Sequence, residues 1–362
     1  MTGRVFRLFY KSFFFMIKKS LLGLIFAGFI VTAIVGRFFF PNTPFSEKAR
    51  YLYVPTGHAN REEVMRTIEK EQLVRNPKSF DLLAGQMDVW KKIAPGKYEI
   101  RKGMGLFDVA RTLRNRNQVP VNLVITKLRT RENLAGLIGS KFEIDSAAVL
   151  KFLNNPDTLK KYDLDTNTVM TSVFPNTYTY LWTTPVSGIY KKLIAEYRRV
   201  WNDSRKAKAE ALGLNPTTTY ILSSIIEEET NYPSEKGLMA SVYLNRLARN
   251  INLGADPTVK FALRNFSLTR IYEKHLLTPS PYNTYRYKGL PPGPICTPTL
   301  GTIDSVLNAP KTDYLFFVAK KDFSQQHVFT SSYQEHLKYA REYQQALNQL
   351  QTRKQKGAKE EF

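Results

Sequence analysis

An uncharged apolar run near the N-terminus constrains this chain more than any other feature. Residues 21–36 contain no charged side chain, whereas residues 1–19 contain five basic side chains and no acidic one. With the stems of Lys19 and Arg37 reaching towards the two interfaces, about 20 residues can cross the roughly 30 Å of a hydrocarbon layer. We therefore expect a basic cytoplasmic tail at 1–19 and a single transmembrane anchor at 20–40.

A cleaved signal peptide is the alternative for the same residues. The segment that follows the run reads GRFFFPNTPF, which is bulky and aromatic and offers no small-x-small cleavage site. We therefore favour an uncleaved anchor in the cell (inner) membrane. With the N-terminus in the cytoplasm, residues 41–362 are expected on the periplasmic or extracytoplasmic side.

The excess of basic side chains indicates an anionic partner. The 362 residues include 53 Lys and Arg against 31 Asp and Glu, a formal net charge of +22. Such a charge suits nucleic acid, lipid head groups or an acidic polymer. Because the predicted topology places most of the chain outside the cytoplasm, we expect an anionic polymer of the cell envelope as partner and no nucleic acid.

Cysteine and histidine are too few and too scattered to form a disulfide, a redox centre or a metal site. Cys296 is the only cysteine, and the four histidines stand apart from one another in the sequence. Neither an intramolecular disulfide nor a CxxC redox centre can form, and no metal-ligand spacing appears. We therefore expect a chain that uses no metal and no cofactor.

Hydrophobic periodicity predicts an α+β protein that is rich in helices. One small α+β module is predicted from a strand at 51–55, helices at 61–71 and 79–91, a strand after Pro95 and a helix at 106–113. Further on, the pattern predicts a buried strand at 314–319 and helices at 189–204, 220–230, 236–250 and 334–350.

Three consecutive acids, Glu227, Glu228 and Glu229, end an otherwise apolar predicted helix. Negative charge is unfavourable at a helix C-terminus, and mutual repulsion beside two isoleucines should raise the pKa of these carboxyls. A carboxylic acid that stays protonated near neutral pH can protonate a glycosidic oxygen. The plain alternative is a solvated acidic helix end, and the spacing does not choose among the three acids.

Two segments further along the chain could contribute to such a site. Asp256 precedes Pro257 at the start of a predicted helix, which is typical of an N-cap. The segment Tyr282-Asn283-Thr284-Tyr285 and the Pro-Gly-rich residues 289–294 combine aromatic rings and an amide in a loop. Such groups can stack on sugar faces and bond sugar hydroxyls, although loops of this composition often serve only as connections.

Taken in order, these segments resemble the endolytic murein transglycosylase family of YceG-like proteins. The resemblance extends over most of the chain outside the cytoplasmic tail, more weakly through Pro95-Gly96-Lys97-Tyr98 and Phe174-Pro175-Asn176-Thr177-Tyr178. The matching segments are Ser224-Ile225-Ile226-Glu227-Glu228-Glu229-Thr230, Ala240-Ser241-Val242-Tyr243-Leu244-Asn245-Arg246-Leu247, Asp256-Pro257-Thr258-Val259, Tyr282-Asn283-Thr284-Tyr285, Gly289-Leu290-Pro291-Pro292-Gly293-Pro294-Ile295 and His327-Val328-Phe329-Thr330.

The resemblance implies both an architecture and a set of site residues. After the anchor it implies a LysM-like glycan-binding module at 41–120, a connecting region at 121–165, a mixed helix-rich catalytic domain at 166–350 and a flexible tail at 351–362. Glu227 would be the catalytic acid and Glu229 a supporting group. The expected supporting or substrate-binding residues are Asn245, Asp256, Thr258, Tyr282, Asn283 and Tyr285.

The chain departs from the family pattern in two places. Glu228 stands where the family usually has a basic residue, so the local charge is more negative and should help to keep Glu227 protonated. Upstream, Thr171-Ser172-Val173 and Asn176 replace the Glu-Gly pair and the Asp of the family. The role of this upstream segment is therefore open.

The implied reaction cleaves the bond between N-acetylmuramic acid and N-acetylglucosamine in nascent strands of peptidoglycan. Glu227 would protonate the glycosidic oxygen and then take the proton of the muramic C6 hydroxyl, which attacks its own C1 and leaves a 1,6-anhydro end. Such cleavage would end strand elongation beside the cell-wall synthases. A lysozyme-like hydrolase and a non-catalytic glycan-binding or scaffold protein are the alternatives, and a nucleic-acid-binding protein is the weakest.

Overall fold

The computed structural model describes Thr32, Gly36 and residues 38–360, and of residues 350–360 the backbone alone. No helix within these residues is both long and apolar enough to cross a membrane. Most of the anchor predicted at 20–40 lies outside the described residues. The anchor and the cytoplasmic tail therefore stay predictions.

The described chain divides into two compact units. The first contains the residues up to Val121 and also Leu181–Thr183, and the second contains Asn122–Tyr180 and the residues from Thr184 onwards. Helices predominate throughout, and the strands form small two-stranded sheets. The prediction of a helix-rich α+β fold is confirmed.

The first unit is built on one antiparallel pair of strands that helices cover on one face. Leu52 and Val54 of the first strand and Tyr98 and Ile100 of the second are fully buried, because alternate residues of a strand point to the same face. The elements are β1 (Ala49–Val54), α1 (Arg61–Lys70), α2 (Pro77–Gln86), α3 (Val89–Lys92), β2 (Gly96–Arg101) and α4 (Leu106–Arg114).

One predicted helix of this unit is broken. The periodicity predicts a single helix over 79–91, but α2 ends at Gln86 and Asp88 takes the left-handed conformation, with φ of 57°. The chain then begins α3 at Val89, whose side chain is fully buried. The break turns the chain so that this apolar residue enters the core.

The second unit contains the acidic helix and every segment predicted to surround it. Its first sheet pairs β3 with β4, and its second pairs β5 with β6 antiparallel, Phe316 opposite Thr330. The elements are β3 (Val121–Ile125), α5 (Arg131–Gly139), α6 (Ser146–Leu153), α7 (Pro156–Lys160), a 3₁₀ turn (Val169–Ser172), β4 (Asn176–Tyr180), α8 (Val186–Val200), α9 (Asp203–Ala211), α10 (Pro216–Glu229), α11 (Pro233–Ala248), α12 (Asp256–Ala262), α13 (Glu273–Leu276), α14 (Leu300–Leu307), β5 (Phe316–Ala319), β6 (His327–Thr330) and α15 (Tyr333–Glu360).

All four helices predicted in this part of the chain differ from their predicted extents, and those predicted over 220–230 and 236–250 begin earlier, at Pro216 and Pro233. The helix predicted over 189–204 ends at Val200, because Asn202 caps a new helix by accepting a hydrogen bond from the backbone N–H of Arg205 at 3.0 Å. The last helix, predicted over 334–350, continues to Glu360, and its backbone is thus helical within the segment predicted as a flexible tail.

The acidic helix α10 lies at the centre of the second unit. Its residues from Thr219 to Glu227 are all buried, and Leu222, Ile225 and Ile226 belong to one apolar core with Met239 of α11 and Val306 of α14. A helix that is apolar on every side is stable only when neighbours surround it. The packing therefore holds the C-terminal end of α10, where the three acids lie, at a fixed place.

Candidate active site

The three acids at the end of α10 point in three different directions. Each step along an α-helix turns the side chain by about 100°, so the first and third acids are about 200° apart. Each carboxylate meets a different set of partners, contributed by different segments of the second unit. The sequence treats Glu227, Glu228 and Glu229 as one acidic cluster, but the fold separates them.

Glu227 forms a buried ion pair with Lys236 of α11. Oε2 of Glu227 lies 2.9 Å from Nζ of Lys236, and the two side chains are 9% and 10% exposed. The same oxygen accepts hydrogen bonds from the hydroxyl of Thr299 at 3.2 Å and from the hydroxyl of Thr302 at the start of α14. This carboxylate joins three helix ends to one another.

These partners make Glu227 a stronger acid than an ordinary glutamate. Burial acts to raise the pKa of Glu227, but the hydrogen bonds from Thr302 and Lys236 and the charge of Lys236 outweigh it, so the pKa lies below its usual range. The expectation that the acidic neighbours keep Glu227 protonated is therefore wrong. The hydrogen bond from Thr302 and the lysine 9 residues further on together keep the pKa of Glu227 low.

Glu228 is neutralised by basic residues of the segment before α5. Its carboxylate lies 2.9 Å from Nη2 of Arg129 and 3.4 Å from Nζ of Lys127. Lys127 also donates a hydrogen bond to the backbone carbonyl of Glu227 at 3.3 Å. Two cations thus offset the unfavourable negative charge at this helix C-terminus.

Glu229 lies in the wall of a cavity of about 490 Å³. Its Oε1 accepts a hydrogen bond from the hydroxyl of Tyr243 at 2.7 Å. Burial raises the pKa of Glu229 to about 7, and the charge of Asp256 adds to the rise, while the bond from Tyr243 opposes it. The raised pKa predicted for the acidic cluster is found at Glu229, and its main cause is burial.

Asp256 and Tyr285 line the same cavity. The Tyr285 hydroxyl donates to Oδ1 of Asp256 at 2.6 Å. The sequence favours Asp256 as an N-cap, but it is the first residue of α12 and makes no capping bond; the cap position belongs to Ala255. The carboxylate is thus available to the cavity, held by a tyrosine from the predicted aromatic loop.

Asn283 and Thr258, two of the predicted substrate-binding residues, stabilise the segments that carry Tyr285 and Asp256. Asn283 is fully buried; its side chain donates to the carbonyls of Leu276 and Thr278 and accepts from the backbone N–H of Tyr285 at 3.1 Å. Thr258 is also fully buried and its hydroxyl lies 2.8 Å from that of Thr284. Both residues support the placement of Tyr285 and Asp256.

Asn245 and Tyr282 contact other parts of the protein. Asn245 donates to the backbone carbonyls of Thr312 and Tyr314, each at 2.9 Å. The ring of Tyr282 packs against Phe261 with centroids 4.6 Å apart. Neither residue lines the cavity that contains Glu229, and their predicted part in positioning a glycan stays a prediction.

Most residues that surround Glu229 were not among the predicted site residues. Tyr243 bonds Glu229, and the cavity wall includes Arg246 from the same helix, Phe316 from β5, and Tyr333 and His336 from α15. The sequence spacing of some of these residues could have indicated that they lie together, because residues three apart on a helix share a face. Tyr243 with Arg246, and Tyr333 with His336, are such pairs, but the sequence does not indicate which face meets the cavity.

Within the residues that the structure describes, no three side chains of the types that bind metals come together. The polar groups of the cavity include one carboxyl with a pKa near neutrality, a second carboxylate, a guanidinium, an imidazole and an amide, next to aromatic rings. Apolar surfaces with a few convergent polar groups are typical of sites for small or polymeric ligands. A protonated carboxyl in such a site can act as a general acid.

Known proteins resemble this chain over the residues that build the site. The sequence model of the YceG-like family matches residues 52–342. A protein of Bacillus subtilis (strain 168) named endolytic murein transglycosylase is 26% identical over 312 residues, which are 82% of this chain and 85% of that protein. A protein of the same name from Streptococcus pneumoniae serotype 2 (strain D39) is 26% identical over 321 residues, which are 80% of this chain and 57% of that protein.

A solved structure agrees with the sequence comparison. The crystal structure of a YceG-like protein from Listeria monocytogenes superposes with a TM-score of 0.54 and 26% identity, and covers 81% of this chain and 99% of that one. The family match extends over far more than half of the chain and contains all the residues of the cavity described above. This chain belongs to the YceG-like family.

Proposed function

We propose that this protein is a lytic transglycosylase that cleaves peptidoglycan strands within the chain, with Glu229 as the catalytic acid and base. The observation that carries the proposal is a carboxyl with a pKa of about 7 in the wall of a cavity that also has aromatic and polar groups. The names of the Bacillus and Streptococcus relatives support the substrate and the reaction type.

The proposed reaction consumes no water. Protonated Glu229 donates its proton to the oxygen between C1 of N-acetylmuramic acid and the next sugar; the C1–O bond breaks and its electron pair stays on the leaving oxygen. The muramic O6 then bonds to the positively charged C1, and its proton passes to the Glu229 carboxylate. The products are a free hydroxyl on one fragment and a 1,6-anhydro end on the other, and Glu229 is protonated again.

Glu229 suits this role better than Glu227, which the family resemblance favoured. At neutral pH about half of the Glu229 carboxyls hold a proton, because the pKa is about 7. The Glu227 pKa is low, and Oε2 of this residue is already occupied by Lys236, Thr299 and Thr302. A carboxylate held in this way is suited to fixing the end of α10 and not to giving up a proton.

The position of Asp256 supports a second candidate function, that of a glycoside hydrolase. A glycosidase that uses water ordinarily needs two carboxyl groups in one site, and Asp256 lines the same cavity as Glu229. In the transglycosylase Asp256 has a different role, because its negative charge, held by the Tyr285 hydroxyl, stabilises the positive charge that develops at C1.

The products of digestion test the proposal. Purified peptidoglycan is incubated with the full-length protein in detergent and the fragments are analysed by mass spectrometry. We expect internal fragments with 1,6-anhydro ends from the wild type and from Glu228→Gln, and none from Glu229→Gln, whose amide cannot donate the proton. Reducing ends would identify the hydrolase, and intact strands that bind the wild type would identify a glycan-binding protein.

The variant Glu227→Gln separates the two glutamates. Its activity is expressed per folded molecule, measured by circular dichroism, because the loss of a buried charge weakens the fold. We expect Glu227→Gln to retain cleavage per folded molecule. Loss of cleavage in folded Glu227→Gln together with activity in Glu229→Gln would assign the catalysis to Glu227.

We also propose that the protein works at the membrane on nascent strands. The support is the uncharged run at 21–36 after five basic side chains, and a first unit in which helices separate two paired strands, which suits a LysM-like glycan-binding module. An alkaline phosphatase fused to the C-terminus should be active, and the protein should fractionate with membranes until residues 1–40 are removed. Cross-linking in cells would identify neighbouring cell-wall synthases.

A further inference from the structure

The segment between the apolar run and β1 is held to the first unit. Asn42 and Thr43 are both buried. The side-chain oxygen of Asn42 accepts hydrogen bonds from the backbone N–H groups of Arg75 at 3.0 Å and Asn76 at 3.1 Å. The Thr43 hydroxyl accepts one from the backbone N–H of Gly103 at 2.9 Å. A segment whose buried polar groups are bound in this way does not act as a flexible linker.

The residues just before this segment pack against the N-terminal end of α4. The backbone N–H of Phe40 donates to the carbonyl of Gly36 at 2.8 Å, as in one turn of a helix. A Cβ at Gly105 would lie 2.6 Å from the backbone oxygen of Phe39, so the two stretches of backbone are in contact. The ring of Phe39 also stacks on Phe107, with the centroids 5.0 Å apart. The apolar run therefore ends within one helical turn of a close contact with the first unit.

Two aromatic rings beside this contact are exposed. In the described part of the chain, Phe39 is 57% exposed and Phe40 is 70% exposed, whereas Phe38 packs against the core of the first unit. A single exposed apolar side chain is ordinary, but adjacent ones indicate a surface that meets another molecule or a membrane. The exposed rings therefore mark a contact surface next to α4.

Basic side chains lie along α4 beside these rings. Residues 101–116 contain five basic side chains, all exposed, and one acidic side chain. The basic residues are Arg101, Lys102, Arg111, Arg114 and Arg116. Phe107, Arg111 and Arg114 share one face of α4 because they are four and three residues apart, and the guanidinium of Arg111 lies 5.8 Å from the centroid of the Phe107 ring. Aromatic rings bordered by Lys and Arg are typical of segments that lie in a membrane interface.

The position of this surface in the chain indicates what covers it. Phe38 is separated from the uncharged run at 21–36 by a single residue, and under the proposed function that run crosses the membrane. A bilayer that contains the run must end within a few residues of the exposed rings. Its anionic head groups attract Lys and Arg side chains, and apolar rings enter the boundary between head groups and acyl chains. A protein partner would have to compete with this bilayer for the same surface.

We propose that the first unit lies on the membrane, with Phe39, Phe40 and the basic face of α4 against anionic lipid head groups. The proposal rests on the membrane anchoring proposed above and goes beyond it. An anchor alone keeps the unit near the bilayer, whereas this surface determines which side of the unit faces the lipid. The module is then held in one orientation at the surface and does not swing on a tether.

Matched pairs of substitutions test the surface. Lys102→Gln with Arg114→Gln removes two charges from it. Arg66→Gln with Lys70→Gln removes two exposed charges from α1 and is the control, because residues 61–71 contain four acidic side chains against three basic ones and suit an anionic surface less well. All these side chains are exposed, and thermal unfolding of each variant establishes that the fold is kept.

Contact with lipid is measured on the full-length protein reconstituted into phosphatidylcholine vesicles, with or without phosphatidylglycerol. A fluorophore is attached at Asn115→Cys, just after α4, or at Glu62→Cys in α1; Cys296 is buried and does not compete for the label. Lipids with a spin label on the head group quench a fluorophore that touches the surface. With phosphatidylglycerol we expect quenching at position 115 to be about threefold stronger than at position 62. High salt or the Lys102 and Arg114 pair should reduce it about threefold, and the control pair should not.

The outcomes separate this surface from the anchor. Equal quenching with and without phosphatidylglycerol, or equal effects of the two pairs, would overturn the surface even if the protein resists extraction by alkaline carbonate, which establishes an anchor. If carbonate extracts the protein, the anchor fails; flotation with anionic vesicles at neutral pH that is lost only in the Lys102 and Arg114 pair would still support the surface. Absence of both insertion and flotation would refute both proposals.

Discussion

Nζ of Lys236 lies 2.9 Å from Oε2 of Glu227, and both side chains are at least nine-tenths buried. This pair joins the end of α10 to α11, and Thr302 extends it to α14. Two residues further on, Glu229 has no cation of the described chain in hydrogen-bond contact and faces a cavity. One short segment of sequence thus contains one acid that holds helices together and another that lines a cavity and has a pKa near neutrality.

Breaking the ion pair on one side should destabilise the protein. Glu227→Gln leaves the ammonium of Lys236 buried without its charged partner, which costs about 3–5 kcal/mol of unfolding free energy. Glu227→Gln combined with Lys236→Met removes both charges and should recover most of this loss. Urea unfolding at pH 7 measures both variants; a single variant as stable as the wild type would contradict the prediction.

The same pair should give the fold a sensitivity to acid. The Glu227 pKa is lower in the folded protein than the ordinary value of 4.5, so its contribution to stability is present above pH 4.5 and is lost as the pH falls through the folded pKa. The doubly substituted protein should lose less stability between neutral pH and about pH 3 than the wild type. Thermal unfolding of both proteins between neutral pH and about pH 3 tests this prediction. An equal loss of stability in the two proteins would contradict it.

Glu229 should make the stability of the fold depend on pH in the opposite direction. Its folded pKa of about 7 is above the unfolded value of 4.5, so stability is fully present below pH 4.5, decreases up to about pH 7 and is constant above. Glu229→Gln should therefore be more stable than the wild type at pH 8, by roughly 2–4 kcal/mol, and similar to it at pH 4. Denaturant curves at the two pH values test this. A stability difference that does not vary with pH would refute it.

Two neighbours of Glu229 should move the pH dependence of cleavage in opposite directions. The proposed reaction needs protonated Glu229, so the rate should fall as the pH rises past about 7. Tyr243→Phe removes a hydrogen bond that lowers the Glu229 pKa and should shift this limb to higher pH. Asp256→Asn removes a charge that raises it and should shift the limb to lower pH. Profiles of kcat/KM from about pH 4 to 9 measure both shifts, and shifts in the same direction would be inconsistent with these contacts.

A glycine of the Pro-Gly-rich loop should tolerate no side chain. A Cβ at Gly293 would overlap the backbone oxygen of Asn167 and lie 2.8 Å from the Tyr282 hydroxyl, and the backbone cannot move aside as a flexible side chain can. Gly293→Ala should cost about 1–3 kcal/mol. Gly136 is the matched control: it lies in α5 with nothing within 4 Å of its Cβ position, so Gly136→Ala should be neutral or stabilising by up to about 1 kcal/mol. Thermal unfolding compares the two, and an equal effect would contradict the close approach.

The order of helices and strands could be predicted because it depends on local pattern. Leu52 and Val54 alternate as a half-buried strand requires, whereas the sequence pattern predicts the start of α10 at 220 and the structure places it at Pro216, after the cap formed by Asn215. The errors arise where a local competitor wins. Asn202 starts a new helix where the apolar stripe alone predicts continuation, and Asp88 adopts a left-handed turn inside a periodic segment.

The charges of the site could not be predicted, because their partners are distant in the sequence. Thr302, which bonds Glu227, is 75 residues away, and Arg129, which neutralises Glu228, is 99 residues away. The sequence therefore indicates that an unusual acid exists without indicating which of the three lacks a cationic partner. The family resemblance favoured Glu227, and the contacts favour Glu229.

The wall of the cavity is assembled from residues that lie far apart in the order of synthesis. Glu229 is made first, but Phe316, Tyr333 and His336 are added only after many further residues. A growing chain, which is translated from its N-terminus, thus contains Glu229 well before it contains the residues that complete the cavity around it. A polypeptide interrupted before Tyr333 would contain Glu229 without this part of the cavity wall, and the cavity is complete only once α15 has begun.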